Sequence, residues 1–408
     1  MNRIFSTGAF LLPGDDVDLK KYAVIACDQY TSEKEKWEAA DLFVGSAPSA
    51  LRMILPECYL KEAASRVPGI QRTMREYLTR GVLTQKVRDG FVLTERVTPS
   101  GVRPGLVLLI DLEAYDYSPD SASPIRPTEG TIVDRIPPRL NVRRGAEIEL
   151  SHVMMLLDDP GDTVIGPIRA EREGLPLLYD TDLMMDGGHL TGRAVEGEAR
   201  LKVQAALDRL FNDKKTGDIL FAVGDGNHSL ATAKAYWEEL KASLPGEERK
   251  NHPARWASAE LVNIYCPALT FEPIHRVLFH TDRDRVLTCL AAAAPVPCDK
   301  DPDVLVVSGG RDTPLKFKNP LHPLPVGTVQ AALDRAGGFE ADYVHGEEAA
   351  RALARQPGTV SLLVPPIEKA GFFDAVRPGP LPRKTFSMGE ANEKRFYMEA
   401  RRITGEKA

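Results

Sequence analysis

The stretch FAVGDGNHSLATAKAYWEEL, Phe221 to Leu240, does most to restrict what this chain can fold into. An apolar run of strand character ends in Gly224, Asp225, Gly226, Asn227 and His228, and an alanine-rich amphipathic segment follows at once. That order makes a βα unit whose loop lies at the carboxyl end of the strand, where open α/β sheets place ligands. Gly224 and Gly226 let the backbone turn tightly and approach a ligand. Asn227 or Ser229 is expected to cap the helix, and the first helical turn presents unpaired N–H groups with partial positive charge. Such a loop is an anion site suited to phosphate. His228 adds a donor, whereas Asp225 beside a phosphate is unfavourable unless it holds a metal ion or accepts a proton. The same pattern also serves simply to join a strand to a helix, and the residues alone leave the two readings even. The spacing is neither that of a Walker A loop nor the Rossmann Gly-x-Gly-x-x-Gly.

The rest of the chain alternates short strand and helix patterns without a fixed repeat. YAVIACDQY reads as a strand that brings Asp28 to its carboxyl end, followed by a helix over SEKEKWEAADLF with Ser32 as its cap. Residues 81–112 read as a hairpin or meander, and the Arg- and Pro-rich segment from Ile125 to Leu150 as extended segments and turns. With 408 residues, two lobes are expected: a main lobe over 1–298 carrying the loop at 224–229, a small α/β lobe over 299–376, and a turn and charged helix over 377–408 that return to the main lobe.

Composition narrows the function classes. A net charge of −6 argues against a protein that coats nucleic acid. The five cysteines are scattered and form no Cys-x-x-Cys pair, so they read as reduced thiols of a cytoplasmic protein. No run reaches the roughly 18 apolar residues of a transmembrane helix, so no membrane partner is expected. The eight histidines lack the spacing of a catalytic zinc site, and there is no Gly-x-Ser-x-Gly elbow. Carboxylates are plentiful, and magnesium bridging Asp or Glu to a phosphate needs no histidine. Two further clusters stand out. Arg383, Lys384, Ser387 and Gly389 precede a predicted helix and form a second candidate anion cradle or a solvated basic turn. Arg126, Thr128 and Glu129 form a tight polar cluster or a proline-rich surface turn.

The segments VIACDQYTSEKEKWE, ILPE, RPTEGTIVDRIPPR, HVMMLLDD, GDGNHSLATAK, HPARWASAELVN, FEPIHRV and LPRKTFSMGEANEKRFYMEAR together resemble, in that order and over nearly the whole chain, the bacterial and archaeal family called domain of unknown function 1015. The central loop is similar to that of the ParB and sulfiredoxin superfamily, in which a Gly- and His-containing loop at a helix start binds nucleotide phosphates. The resemblance implies a mixed α/β fold with a ParB/sulfiredoxin-like core, large additions and a smaller C-terminal α/β lobe. That superfamily includes kinases of free serine, so it also implies transfer of a phosphoryl group to the hydroxyl of free L-serine. One common pattern of the loop is Asp-Gly-His-His-Arg, whereas this chain has Asp225, Gly226, Asn227, His228 and Ser229. Loss of the Arg favours a donor smaller than ATP or ADP, such as pyrophosphate.

Phosphoryl transfer needs donor charge neutralised, a hydroxyl in line and a base nearby. The expected assignment gives Gly226, Asn227, His228 and Ser229 to the transferred phosphate and Arg383 and Lys384 to the rest of the donor. Asp225 is the base or the Mg2+ ligand, with Asp28 or Glu129 as the other carboxylate, and Arg126 and Thr128 hold the substrate. Two other readings stay open: a phosphoserine phosphatase, and a non-enzymatic ParB-like module responsive to nucleotide or DNA. The acidic charge and the lack of a basic stripe stand against the second.

Overall fold

A computed structural model describes residues 4–214, 218–382 and 384–405. The fold is mixed α/β, and the chain divides into one unit of residues 1–269 and 390–408 and a second of residues 270–389.

The first unit is built on a twelve-stranded mixed sheet. Its centre is the hairpin expected from the sequence: Leu83–Thr98 pairs antiparallel with Gly101–Asp111, Val92 facing Val107. Alternation along the second strand shows that both faces are covered. Leu106, Leu108 and Ile110 enter one core with Phe91, Phe221 and Trp237, while Val107 and Leu109 enter another with Tyr22, Trp37 and Met74. The strand Phe221–Asp225 lies in this sheet between Ile125–Pro127, parallel to it, and Met154–Leu157, antiparallel. A separate two-stranded ladder joins Val24–Ile25 to Phe396–Tyr397.

Two local expectations are corrected. The segment after Ile125 contains a helix, Ile136–Arg143, because Pro137 and Pro138 occupy its first turn, where no N–H donor is required. The charged C-terminal segment is not a helix: Phe396–Tyr397 and Ala400–Arg402 are strands, the latter paired with Ile148–Leu150 and with Gly8–Pro13. Every residue from Glu393 to Arg401 is buried, so the helical charge pattern is overridden by backbone pairing and by ion pairs such as Arg395 with Glu399 and Arg401 with Glu149.

The second unit has a seven-stranded sheet with Leu278, Val306, Val329 and Leu362 in its core. Its start falls at Thr270 rather than at 299, because the strand Phe271–Phe279 pairs with Glu340–His345, Val360–Leu363 and Phe386–Met388. The last of these pairings likewise moves the return to the first unit from 377 to 390.

Candidate functional site

The loop at 224–229 is built as a bulge followed by a left-handed turn. Val223 faces Met155 and Asp225 faces Met154, so the ladder skips Gly224; such bulges re-aim the next side chain. Gly226 then adopts φ +79° and is itself the residue before the helix Asn227–Lys241, with no side-chain cap, in place of the Asn or Ser cap expected. A Cβ at Gly226 would lie 3.0 Å from Val153 Cα and 3.3 Å from the His152 ring. Glycine is required here by conformation and by space. Leu230 N–H donates to the Gly226 carbonyl at 3.0 Å, so the preceding N–H groups form the open end of the helix.

The buried loop groups carry unmet hydrogen-bonding capacity. Asp225 Oδ2 and Asn227 Oδ1 are buried without a hydrogen-bond partner among the described residues. Burial raises the pKa of Asp225, and the charge of Asp28 adds to this against the opposing charges of Lys394 and His152. His228 Nε2 accepts the Ile132 N–H at 3.2 Å, so the donor role expected of His228 can come only from Nδ1. Lys234 is turned away: its ammonium donates to the Leu112 carbonyl at 2.8 Å and pairs with Glu238.

A relay that sequence reading missed lies beside the loop. Asp28 Oδ2 is 3.2 Å from His152 Nε2, and the Tyr397 hydroxyl is 2.7 Å from His152 Nδ1. Gln29 Nε2 donates to Asp28 Oδ1 at 3.0 Å. Burial pushes the Asp28 carboxyl up, but the charge and hydrogen bond of His152 outweigh it and hold the group well below the usual carboxylate range. Burial pushes His152 down, and the charge and hydrogen bond of Asp28 reverse this and raise it. The pair therefore favours an ionised Asp28 carboxylate and stabilises the protonated form of His152. The neighbouring Cys27 thiol is pushed up to about 12 by burial and then by the Asp28 charge, and is inert as a nucleophile.

Asp28, His152, His228, Ser229, Thr232 and Tyr397 share the wall of a cavity of about 120 Å³ with Met53, Leu55, Met74 and other apolar groups. This is well below the roughly 300–1,000 Å³ of drug-sized ligand sites and suits a metabolite of a few heavy atoms. Its arginines are already neutralised: Arg139 pairs with Glu57, and Arg143 with Glu149 at 2.5 Å.

The structure thus gathers Asp28, His228 and Ser229 on one cavity wall, with Asp225, Gly226 and Asn227 in the adjoining loop. Arg126, Thr128 and Glu129 are not part of that wall. Arg126 donates to the Ser121 carbonyl at 2.9 Å, and the Thr128 hydroxyl donates to the Val223 carbonyl at 2.8 Å, which ties off the end of the strand. Arg383 lies outside the described residues. Lys384 is exposed in the second unit, and its carbonyl accepts from Arg276 at 3.0 Å. His152 was legible only as the residue opening the apolar run HVMMLL, and Lys394 and Tyr397 were concealed in a segment with a helical charge pattern.

A family model described as protein of unknown function (DUF1015) matches residues 11–336. The chain belongs to this family. No curated protein sequence matches it. Among solved structures, a free serine kinase mutant in complex with ADP is 10% identical at a TM-score of 0.39, covering 73% of this chain and 92% of its own. A conserved hypothetical protein from Pyrococcus furiosus is 10% identical at a TM-score of 0.35, covering 73% and 95%. SbnI with a C-terminal truncation, from Staphylococcus aureus, is 9% identical at a TM-score of 0.37, covering 74% and 84%. Among the described residues no helix is long and apolar enough to cross a membrane, and no group of three or more His, Cys, Asp or Glu side chains is arranged to hold a metal ion.

Proposed function

We propose that this protein is a cytoplasmic phosphotransferase that moves a phosphoryl group from pyrophosphate or a nucleotide to the hydroxyl of free L-serine. The observation that carries the proposal is the ionised Asp28 on the wall of a metabolite-sized cavity, beside the open N-terminus of the helix Asn227–Lys241. The structural likeness to free serine kinases is too distant to add weight; the family resemblance and the site chemistry supply the support.

In this reading the acceptor occupies the cavity and the donor phosphates lie at the helix N-terminus, where N–H groups of the first turn and Ser229 meet anionic oxygens. Asp28 orients the acceptor hydroxyl and takes its proton as the oxygen–phosphorus bond forms and the donor's phosphoanhydride P–O bond breaks, releasing inorganic phosphate or the shortened nucleotide. His152, held by Tyr397, favours the ionised form of that carboxylate and fixes it in place. Asp225 stands on the donor side. Its unpartnered Oδ2 fits magnesium of the kind bound by one carboxylate plus phosphate oxygens and water, and such an ion, when bound, supplies neutralisation of donor charge.

The test is phosphorus NMR of the purified protein with magnesium and serine, and pyrophosphate, ATP or ADP in separate tubes. Phosphoserine in one tube establishes the activity and names the donor. Asp28→Asn should then lower turnover by about 10²–10⁴-fold. If phosphoserine forms in none of the three, the proposal falls; loss of phosphoserine supplied alone would instead identify a phosphatase.

A further inference from the structure

The cluster around the loop contains a cation that the sequence pattern did not single out. Lys394 is 9% exposed and, among the described residues, its ammonium makes no hydrogen bond or ion pair. Its place is set by backbone pairing. Phe396 faces Ile25, Tyr397 faces Val24, and Ala26 N–H donates to the Arg395 carbonyl at 2.9 Å. Continuing that register puts Lys394 opposite Cys27, one residue from Asp28. The following residue anchors the segment from the other side, since Arg395 donates to the Ser151 carbonyl next to His152 and pairs with Glu260 and Glu399.

The ammonium lies within electrostatic reach of both Asp28 and Asp225 without closing an ion pair to either. Neither carboxylate takes up its three N–H donors, so they stay open to an anionic ligand. Buried polar groups without protein partners are typical of functional sites, where the missing partner is a ligand. Asp225 Oδ2 and Asn227 Oδ1 are two such groups in the adjoining loop, and the Lys394 ammonium lies within electrostatic reach of the first.

We propose that Lys394 is the cation that binds an anionic oxygen of the donor phosphate, in the role expected of Arg383 and Lys384. Its naming as the donor's phosphate rests on the phosphotransferase reading; its role as a phosphate-binding residue does not. The ammonium and the N-terminus of the helix Asn227–Lys241 approach the phosphate as two positive partners.

The experiment measures binding of inorganic phosphate, pyrophosphate and ADP by calorimetry, without turnover, to the full chain. Lys394→Met should weaken pyrophosphate binding at least tenfold. Lys394→Arg, which keeps the charge, should stay within a few-fold of wild type. Lys250→Met, at an exposed position, should bind as wild type does. Unchanged pyrophosphate affinity in Lys394→Met overturns the proposal. Should that variant not fold, wild-type protein answers the question: pyrophosphate must shift the side-chain ¹⁵N resonance of Lys394, assigned by its absence in Lys394→Arg. An unmoved resonance, or one moved by serine alone, overturns the assignment. Lys394-dependent pyrophosphate binding without phosphoserine formation would retain Lys394 and remove the serine kinase reading. Phosphoserine formation with wild-type kinetics in Lys394→Met would do the reverse.

Discussion

Glu149→Gln tests how the buried charges behind the cavity hold the C-terminal strand in place. Glu149 is 6% exposed, and its Oε1 accepts from Arg401 Nε at 2.6 Å and from Ser258 N–H at 2.9 Å, while Oε2 pairs with Arg143 at 2.5 Å. Burial pushes the carboxyl up, but Arg401, then Arg143 and the Ser258 N–H, bring it from 4.5 to about 2. That difference corresponds to about 3 kcal/mol of folding stability at neutral pH. An independent route gives a similar figure, since removing one partner of a buried ion pair costs about 3–5 kcal/mol by stranding the other charge. Gln keeps the size of Glu, removes its charge and replaces one acceptor oxygen with an NH2 donor. Because the folded value is depressed, the stabilisation is present above pH 4.5 and is lost as the pH falls towards about 2. Urea unfolding followed by tryptophan fluorescence reads the effect, because Trp37, Trp237 and Trp256 all lie in the first unit. Glu149→Gln should lose about 3 kcal/mol at pH 7, and the gap to wild type should narrow by about 2 kcal/mol at pH 3. Equal midpoints at pH 7, or a gap unchanged at pH 3, would refute the reasoning.

Gly226→Ala should cost about 2 kcal/mol or more in thermal or urea unfolding, from the left-handed φ of +79° and the 3.0 Å approach to Val153 Cα; wild-type stability would show that the turn relaxes freely. A double-mutant cycle of Asp28→Asn and His152→Gln should give a coupling of at least about 1 kcal/mol, and additive losses would mean that the 3.2 Å contact does not link them. At the edge of the first unit, His189 lies 2.9 Å from Asp182 and 2.7 Å from Asp180. The hydrogen bond to Asp182 raises its pKa, burial opposes this, and Asp180 adds to it. The contact therefore stabilises the fold below pH 6.5 and is lost as the pH rises through the raised value. An NMR titration of the His189 ring at or below 6.5 would contradict this.

Much of this protein is written locally in its sequence. The βα unit at 221–241, the hairpin beyond Gly81 and the need for glycine at 226 follow from period, β-branched content and turn chemistry, which act over a few residues. Asp28 and the loop residues 225–229 were legible because they sit at strand ends, where polar side chains interrupt apolar runs. Tertiary structure decided the rest. Charge spacing from Glu390 to Arg402 satisfies a helix, and only burial on all sides and pairing with Val24–Ile25, Gly8–Pro13 and Ile148–Leu150 make it extended. The same long-range pairing brings Lys394 and Tyr397 to Asp28 and His152 across more than 240 residues of chain. It also assigns Phe271–Phe279 to the second unit, since the choice among strand partners is made by the sheet and not by the strand. Local patterns fix which segments can form strands and helices; which side chains then share a cavity depends on contacts between segments whose separation in sequence carries no periodic signal.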